Sequence, residues 1–290
     1  MRPQGLTTKI FLDSGDPKET KAALDLLGFL DGQTTNPSLI AKNPDAQARL
    51  ARGEKFSAAE VLHFYESVTK EVAALIPEGS VSIEVYADAE TPAEEMLEQG
   101  KEFYGWIPNA HIKFPTTAEG LKAAEMAVKE GLRVNMTLVF SQEQAAAVYA
   151  ATKGAKKGGV FVSPFIGRLD DRGENGLDLI SNIVQMYRRG DRHAEVLAAS
   201  VRNLSHFVRS IELGADIITA PLKAIQEWAA AGMPTSGEKS GVKSEKLQPI
   251  PYRELDLVQP RQSYNIRHEL TDSGIAKFAA DWNNLIDAGK

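Results

Sequence analysis

The chain has 290 residues, 43% of them apolar and 25% charged, which is ordinary for a globular protein of one large α/β domain or two small ones. The absence of cysteine excludes disulfides, thiolate metal sites and cysteine nucleophiles, and it fits a reducing compartment such as the cytoplasm. The net charge of −6 disfavours nucleic acid as a partner, and no apolar run approaches the length that crosses a membrane. The N-terminus is unlike a signal peptide, and the five histidines are scattered. We therefore expect a cytoplasmic protein without metal, nucleic-acid or membrane partners.

Short β-branched or apolar runs alternate with helical patterns along the chain. This alternation is typical of a parallel sheet covered by helices. Several runs are apolar throughout, as expected for strands that are buried on both faces. The second run is weak by composition, and its place rests mainly on the alternation. The eight predicted strands are Lys9–Asp13, Gly32–Thr35, Val81–Tyr86, His111–Phe114, Val134–Val139, Val160–Pro164, Glu195–Ser200 and Asp216–Thr219.

Eight strand–helix units predict a (β/α)8 TIM barrel, and the chain length suits that fold. The alternative is an open, doubly wound sheet. A GxGxxG fingerprint after the first strand would favour that alternative, and the sequence has none.

The chain reads as a single barrel domain over residues 1–290. Residues 232–265 predict an irregular loop, because the stretch from Gly232 to Tyr252 is rich in Gly, Ser, Lys and Pro and lacks periodicity. An amphipathic C-terminal helix is predicted at about residues 271–287. Its apolar face, expected to pack on the barrel, consists of Ile275, Phe278, Ala279, Trp282 and Ile286.

Lys113 is a single charged residue in the apolar fourth strand. Taking an ammonium out of water disfavours its charged form and leaves a neutral amine, which can attack a ketone to form a Schiff base. The alternative is a lysine whose side chain reaches solvent at the strand edge and binds nothing. The strand alone does not separate these interpretations.

In a TIM barrel, chemistry belongs at the carboxyl ends of the strands. Each polar residue there also has a structural explanation: Asp13 and Asn36 could cap helices, Glu84 could be an ion-pair partner of Lys113, and Arg168 could be a solvated loop charge. Together, however, buried charges on several strands need partners and suit a phosphorylated carbonyl substrate. The residues at strand ends are Asp13, Asn36, Glu84, Lys113, Asn135, Thr137, Ser163, Arg168, Ser200 and Arg202.

At these positions the chain resembles the transaldolase family of Schiff-base (β/α)8 enzymes. The resemblance covers roughly the first 230 residues, in the family's order, on seven successive strands. The strings TTNPS at Thr34–Ser38 and SPFxGR at Ser163–Arg168 are highly specific together. The other matching segments are Phe11–Ser14, Ile83–Val85, Ile112–Thr117, Glu119–Ala123, Asn135–Ser141 and Ala199–Asn203.

The resemblance implies transfer of a dihydroxyacetone unit from sedoheptulose 7-phosphate to glyceraldehyde 3-phosphate, giving erythrose 4-phosphate and fructose 6-phosphate in the pentose phosphate pathway. No cofactor is implied, because the lysine imine serves as the electron sink. The implied catalytic residues are Lys113 for the Schiff base and Asp13 as the acid/base for carbon–carbon cleavage and formation. Glu84 would assist formation and hydrolysis of the Schiff base through a water that Thr137 helps to position. The implied substrate-binding residues are Asn36, Asn135, Ser163 and Phe165 around the three-carbon unit, and Arg168, Ser200 and Arg202 at the phosphate.

The fructose-6-phosphate aldolases share this barrel and lysine but usually carry Gln where Glu84 stands and Tyr where Phe165 stands. A tyrosine hydroxyl beside the imine helps to protonate the released carbanion, whereas Phe165 cannot donate a proton. Both positions favour transfer over net cleavage. A lyase and a non-catalytic sugar-phosphate-binding barrel remain the alternatives, and a homo-oligomer is compatible with the sequence.

Overall fold

The computed structural model describes residues 1–236 and 247–287. Within these residues, eight parallel strands close into a barrel in which each strand pairs with the next and the last pairs with the first. The predicted (β/α)8 TIM barrel is therefore confirmed. The strands are β1 (Lys9–Asp13), β2 (Gly32–Thr34), β3 (Ser80–Glu84), β4 (Ala110–Pro115), β5 (Val134–Val139), β6 (Val160–Pro164), β7 (Ala194–Ala198) and β8 (Ile217–Ala220).

Helices surround the barrel and bury its outer face. The connection from β2 to β3 contains three helices, and the connection from β6 to β7 contains two. In the described residues the helices are α1 (Pro17–Leu27), α2 (Pro37–Ala41), α3 (Pro44–Ala51), α4 (Ala58–Leu75), α5 (Ala93–Tyr104), α6 (Ala118–Lys129), α7 (Gln142–Ala151), α8 (Ile166–Asp170), α9 (Gly176–Tyr187), α10 (Leu204–Leu213), α11 (Leu222–Ala230) and α12 (Glu269–Asn283). None of them is long and apolar enough to cross a membrane.

Gly32 weakens the strand signal of β2, but steric crowding requires a glycine at this position. A Cβ on Gly32 would lie 2.6 Å from Cζ of Phe11 and 2.5 Å from the Ser80 carbonyl oxygen. Phe11 on β1 is fully buried and packs edge-on against Phe161, with ring centroids 5.9 Å apart. The barrel interior therefore requires a residue without a side chain at a position where strand propensity favours a β-branched one.

Two predicted strands extend two residues too far at their carboxyl ends, and the predicted second strand is one residue too long. The third was predicted to reach Tyr86, but the Tyr86 N–H donates to Gln99 Oε1 at 3.1 Å, outside the sheet. The seventh was predicted to reach Ser200, whose φ of 57° turns the backbone into the left-handed region and away from the sheet. In both cases the backbone leaves the ladder beside predicted site residues. A side chain takes over the hydrogen bond at Tyr86, whereas the Ser200 carbonyl oxygen accepts from the Gly167 N–H at 3.1 Å.

The C-terminal helix α12 covers the carboxyl ends of the strands. The Thr271 hydroxyl donates to the Leu138 carbonyl oxygen of β5 at 3.0 Å, and Ile275, Phe278 and Trp282 are buried. The helix lies close to the predicted bounds of 271–287. Of the predicted loop at 232–265, residues 237–246 lie outside the described residues; the described remainder holds one short 3-10 helix, Arg261–Ser263.

Candidate active site

A cleft of about 180 Å³ opens at the carboxyl ends of the strands, between the barrel and α12. It brings together most of the residues that the sequence singled out. Glu84 lies directly beside it, whereas Asn135 and Arg202 do not line it. The predicted site residues that line the cleft are Asp13, Asn36, Lys113, Thr137, Ser163, Phe165, Arg168 and Ser200.

Lys113 extends from β4, next to Glu84 of β3 in the strand register. Its ammonium lies 2.8 Å from Glu84 Oε2 and donates to the Thr35 carbonyl oxygen at 2.9 Å. Only 4% of each of the two charged side chains is exposed. The amine is therefore held inside the barrel by Glu84 of β3 and by Thr35, the residue after β2. This removes the alternative in which the lysine reaches solvent at the strand edge.

Burial raises the pKa of the Glu84 carboxyl, and the positive charge of Lys113 is the largest influence that opposes this rise. Burial favours the neutral carboxyl, and the adjacent ammonium favours the carboxylate. A carboxyl with opposing influences of this kind is suited to take up and release protons next to the amine. The expected ion pair between Glu84 and Lys113 is present, and it also places an acid/base group at the amine.

Asp13 ends β1 and faces the same cleft. Burial raises the pKa of its carboxyl, an effect opposed mainly by Lys113 and by the Thr34 hydroxyl, which donates to Asp13 Oδ1 at 2.6 Å. Asp13 does not cap the following helix, because Asp16 accepts the cap hydrogen bond from the Lys18 N–H. The structure thus leaves the Asp13 carboxyl directed at the cleft.

Thr137 lies on β5, where a register shift against β6 falls between Met136 and Val139. Leu138 adopts a φ of 60°, which a branched side chain rarely does. The Thr137 hydroxyl is fully buried and has no hydrogen-bond partner among the described residues. Such a bulge directs the hydroxyl into the cleft, where a ligand could use it.

Asn135 lies below the cleft. Its amide donates to Ser82 Oγ at 3.0 Å, and its Oδ1 accepts from the Ser163 hydroxyl at 2.7 Å. Ser163 lines the cleft itself. Asn36 lines it as well, while its Oδ1 caps α2 by accepting from the Leu39 N–H at 2.9 Å. Because the oxygen serves the helix, the amide NH₂ of Asn36 is the group left for a ligand.

The two predicted phosphate-binding arginines occupy different environments. Arg168 enters the cleft, with its guanidinium carbon 5.4 Å from the Phe165 ring centroid and 5.7 Å from that of Phe278. Arg202 is exposed and forms a bidentate pair with Asp171, at 2.8 and 2.6 Å. The structure therefore offers Arg168 to an anion in the cleft and holds Arg202 outside it.

Sequence reasoning missed several residues at the cleft. Lys42, Lys277 and Phe278 line it, and Lys277 pairs with Asp281 at 3.0 Å. The Asp281 carboxylate also accepts from the Ser38 hydroxyl of α2. Three of these residues are on α12, and no local sequence signal places a C-terminal helix over the barrel mouth.

The arrangement suits covalent chemistry on a carbonyl compound. A buried amine stands beside one carboxyl, a second carboxyl shares the cleft, and an arginine lies within it. These groups can attack a carbonyl carbon, move protons and hold an anion. Among residues 1–236 and 247–287, no group of three or more His, Asp or Glu side chains is placed to hold a metal ion.

Comparisons with known proteins identify relatives of this chain. A probable transaldolase of Dehalococcoides mccartyi is 38% identical over 277 residues, which cover 96% of this chain and 99% of that protein. A probable transaldolase of Bacteroides thetaiotaomicron is 40% identical, with the same two coverages of 96% and 99%. Among solved structures, the 3-hexulose-6-phosphate synthase of Salmonella typhimurium covers 77% of this chain at 12% identity and a TM-score of 0.49, a likeness too weak to bear on function.

The family described as transaldolase/fructose-6-phosphate aldolase matches residues 10–289. This match extends beyond the first 230 residues on which the sequence motifs rest, and it includes α12. The expectation of an enzyme of the transaldolase type is confirmed at this level. The chain belongs to the transaldolase/fructose-6-phosphate aldolase family.

Proposed function

We propose that the protein transfers a dihydroxyacetone unit between sugar phosphates through a Schiff base on Lys113. The donor would be sedoheptulose 7-phosphate and the acceptor glyceraldehyde 3-phosphate, as in the cytoplasmic pentose phosphate pathway. One observation carries the proposal: the buried Lys113–Glu84 pair, at 2.8 Å, adjoins a cleft that also holds Asp13 and Arg168.

The first step forms the imine. The neutral Lys113 amine adds to the ketose C2 carbonyl carbon, and the resulting carbinolamine loses its hydroxyl as water. Glu84 is within reach of that nitrogen and would deliver and remove the protons. The Thr137 hydroxyl, which has no partner among the residues that the structure describes, would position the water. The same groups would hydrolyse the imine at the end of the cycle.

The second step cleaves the bond between C3 and C4. The Asp13 carboxylate would take the proton of the C4 hydroxyl, the C3–C4 electron pair would move into the imine, and the aldose would leave. The remaining enamine would add to the acceptor aldehyde, with the proton returned from Asp13. The elevated pKa of Asp13 favours both roles, because it strengthens the carboxylate as a base and keeps the acid form accessible.

Arg168 would hold the substrate phosphate, with Ser200 on the same side of the cleft. Arg202 would also bind the phosphate, and to do so it must leave its ion pair with Asp171. A surface ion pair contributes only about 0–1 kcal/mol, so this exchange would cost little. The Asn36 amide and the Ser163 hydroxyl, the latter braced by Asn135, would hold the hydroxyls of the three-carbon unit.

Phe165 supports transfer over net cleavage. Its ring lines the cleft and carries no proton donor, so the enamine would persist until an aldehyde accepts it. A lyase on the same scaffold would instead protonate and release the three-carbon unit.

Borohydride trapping with fructose 6-phosphate tests the proposal. Mass spectrometry should locate a reduced three-carbon or sugar adduct on Lys113, and Lys113→Met should abolish it. Lys129→Met, which removes an exposed lysine of α6, is the matched control and should leave trapping intact. An adduct elsewhere, or none, would refute the Schiff-base assignment. Fast release of dihydroxyacetone without an acceptor would instead identify a lyase.

A further inference from the structure

A buried tyrosine outside the barrel forms hydrogen bonds to both residues that hold the Lys113 amine. Tyr65 lies on α4 and is fully buried. Its hydroxyl oxygen lies 2.7 Å from Thr35 Oγ1 and accepts from the Glu84 N–H at 2.9 Å. Thr35 supplies the carbonyl oxygen that accepts from the Lys113 ammonium, and Glu84 supplies the carboxylate beside it.

The direction of these hydrogen bonds follows from their acceptors. The Thr35 hydroxyl lies 2.8 Å from the Ser82 carbonyl oxygen, which can only accept, so Thr35 donates to it. Thr35 Oγ1 must then accept from the Tyr65 hydroxyl. Burial raises the pKa of Tyr65, so its hydroxyl remains protonated and able to donate. The result is a continuous chain from the Glu84 N–H through Tyr65 and Thr35 to the Ser82 carbonyl.

The Tyr65 ring is held in place by aromatic neighbours. Its centroid lies 6.0 Å from that of Phe103 and 5.8 Å from those of Trp106 and Trp282. Edge-to-face and tilted contacts of this kind fix the orientation of the ring. Because Trp282 belongs to α12, the helix that covers the cleft also contacts the tyrosine that spans the ends of β2 and β3.

We propose that Tyr65 is a positioning residue for Lys113, which it serves by holding the Thr35 carbonyl and the Glu84 backbone at set positions on either side of the amine. This inference rests on the proposed Schiff-base function. Without the hydroxyl, both partners can shift relative to the amine, and small misplacements of reacting groups slow chemistry more than they weaken substrate binding.

Tyr65→Phe is the direct test, since it removes one hydroxyl and keeps the ring. We expect the rate of borohydride-trapped adduct on Lys113 and kcat to fall about tenfold, with KM for fructose 6-phosphate changed less than about twofold. Tyr187→Phe is the matched control: it removes another buried hydroxyl, at the end of α9, which donates to the Ala145 carbonyl oxygen of α7 at 2.7 Å. The control should change neither quantity more than about twofold.

Thr35→Val removes the same hydrogen bond from the other side, because it deletes the hydroxyl that accepts from Tyr65. It should reproduce the Tyr65→Phe effect, and the double variant should be little slower than either single one, because both interrupt one hydrogen-bond chain. If Tyr65→Phe and Thr35→Val trap as fast as Tyr187→Phe, or if KM rises in place of a fall in kcat, the positioning role is refuted. If the unaltered protein forms no adduct on Lys113, the proposed function itself fails, which is a separate outcome.

Discussion

Glu84 and Lys113 are register partners on β3 and β4, and their carboxylate and ammonium meet at 2.8 Å with only 4% of each side chain exposed. Removing one member of such a buried pair is far more costly than removing both, since it leaves a charge without its partner. The same proximity places a carboxyl group beside the amine that we propose forms the Schiff base. The pair therefore links folding stability to the proposed chemistry.

Lys113→Met should destabilise the protein in a pH-dependent way. Burial raises the pKa of Glu84 and Lys113 is the main opposing influence, so the variant's Glu84 would keep its proton to higher pH. The folded state then binds more protons than the unfolded state, and the free energy of unfolding falls as pH rises above the ordinary carboxyl range. We expect a loss of about 3 kcal/mol at about pH 8, measured by urea unfolding.

The double variant Lys113→Met/Glu84→Gln supplies the control for this loss. With no carboxyl left to ionise at that position, it should recover most of the lost stability and show a flatter pH dependence. Equal stability of the single and double variants at every pH would show that the carboxyl of Glu84 is not the cause.

Thr34→Val should move the acid limb of the pH–rate profile to higher pH. The Thr34 hydroxyl donates to Asp13 and so lowers the pKa of a carboxyl that burial raises; without this hydrogen bond the pKa rises further. Asp13 would then become an active base only at higher pH. The measurement is kcat/KM for cleavage of fructose 6-phosphate across pH. Thr34→Ser keeps the hydroxyl and should leave the limb in place, and a shift to lower pH would contradict the assignment.

Phe165→Tyr should divert the reaction towards release of the three-carbon unit. The new hydroxyl would face the cleft that Phe165 lines and could protonate the enamine. We expect free dihydroxyacetone without an acceptor to form about tenfold faster than in the unaltered protein. An unchanged release rate, with transfer intact, would show that this position does not decide between transfer and cleavage.

The different environments of Arg168 and Arg202 predict different effects on phosphate binding. Arg168→Ala should raise KM for fructose 6-phosphate about tenfold to a hundredfold, as expected for loss of a charge-assisted hydrogen bond to phosphate. Asp171→Asn weakens the pair that holds Arg202 outside the cleft. If Arg202 must leave Asp171 to bind phosphate, this variant should lower KM about two- to fivefold. A raised or unchanged KM would argue that Arg202 stays with Asp171.

Gly274→Ala should weaken phosphate binding through α12. An added Cβ would lie 2.7 Å from Leu138 Cδ2 and 2.8 Å from Arg168 Nη1, so the guanidinium or the helix must move. Alanine favours a helix over glycine by up to about 1 kcal/mol, whereas overpacking costs about 1–3 kcal/mol. We expect a net loss of stability and a raised KM for sugar phosphates. Ser273→Ala, on the exposed side, should change neither, and an unaffected KM in Gly274→Ala would count against the contact.

Much of the site was visible in the sequence because charged residues interrupt apolar strands. Lys113 and Glu84 stand out for this reason, and the TTNPS and SPFxGR strings place Asn36 and Arg168 at strand ends. Alternation of strand and helix predicts the barrel, and the barrel predicts which strand ends converge.

Other features depend on contacts between distant segments. The hydrogen-bond chain from Glu84 through Tyr65 to Thr35 joins β3, α4 and the residue after β2. A tyrosine on an amphipathic helix has the same local pattern as any core aromatic. The pairing of Arg202 with Asp171 likewise follows from loop geometry that periodicity does not describe.

The sequence by itself determined the fold, through its periodicity, and the type of enzyme, through motifs that resemble the transaldolase family, since both are local properties of the chain. Only the tertiary structure decided how the amine is held: which carboxylate touches Lys113, which arginine enters the cleft, and that α12 closes over it. The reason is physical. Burial and hydrogen bonding act over a few ångströms in space, and closing the barrel brings together residues that the sequence keeps far apart.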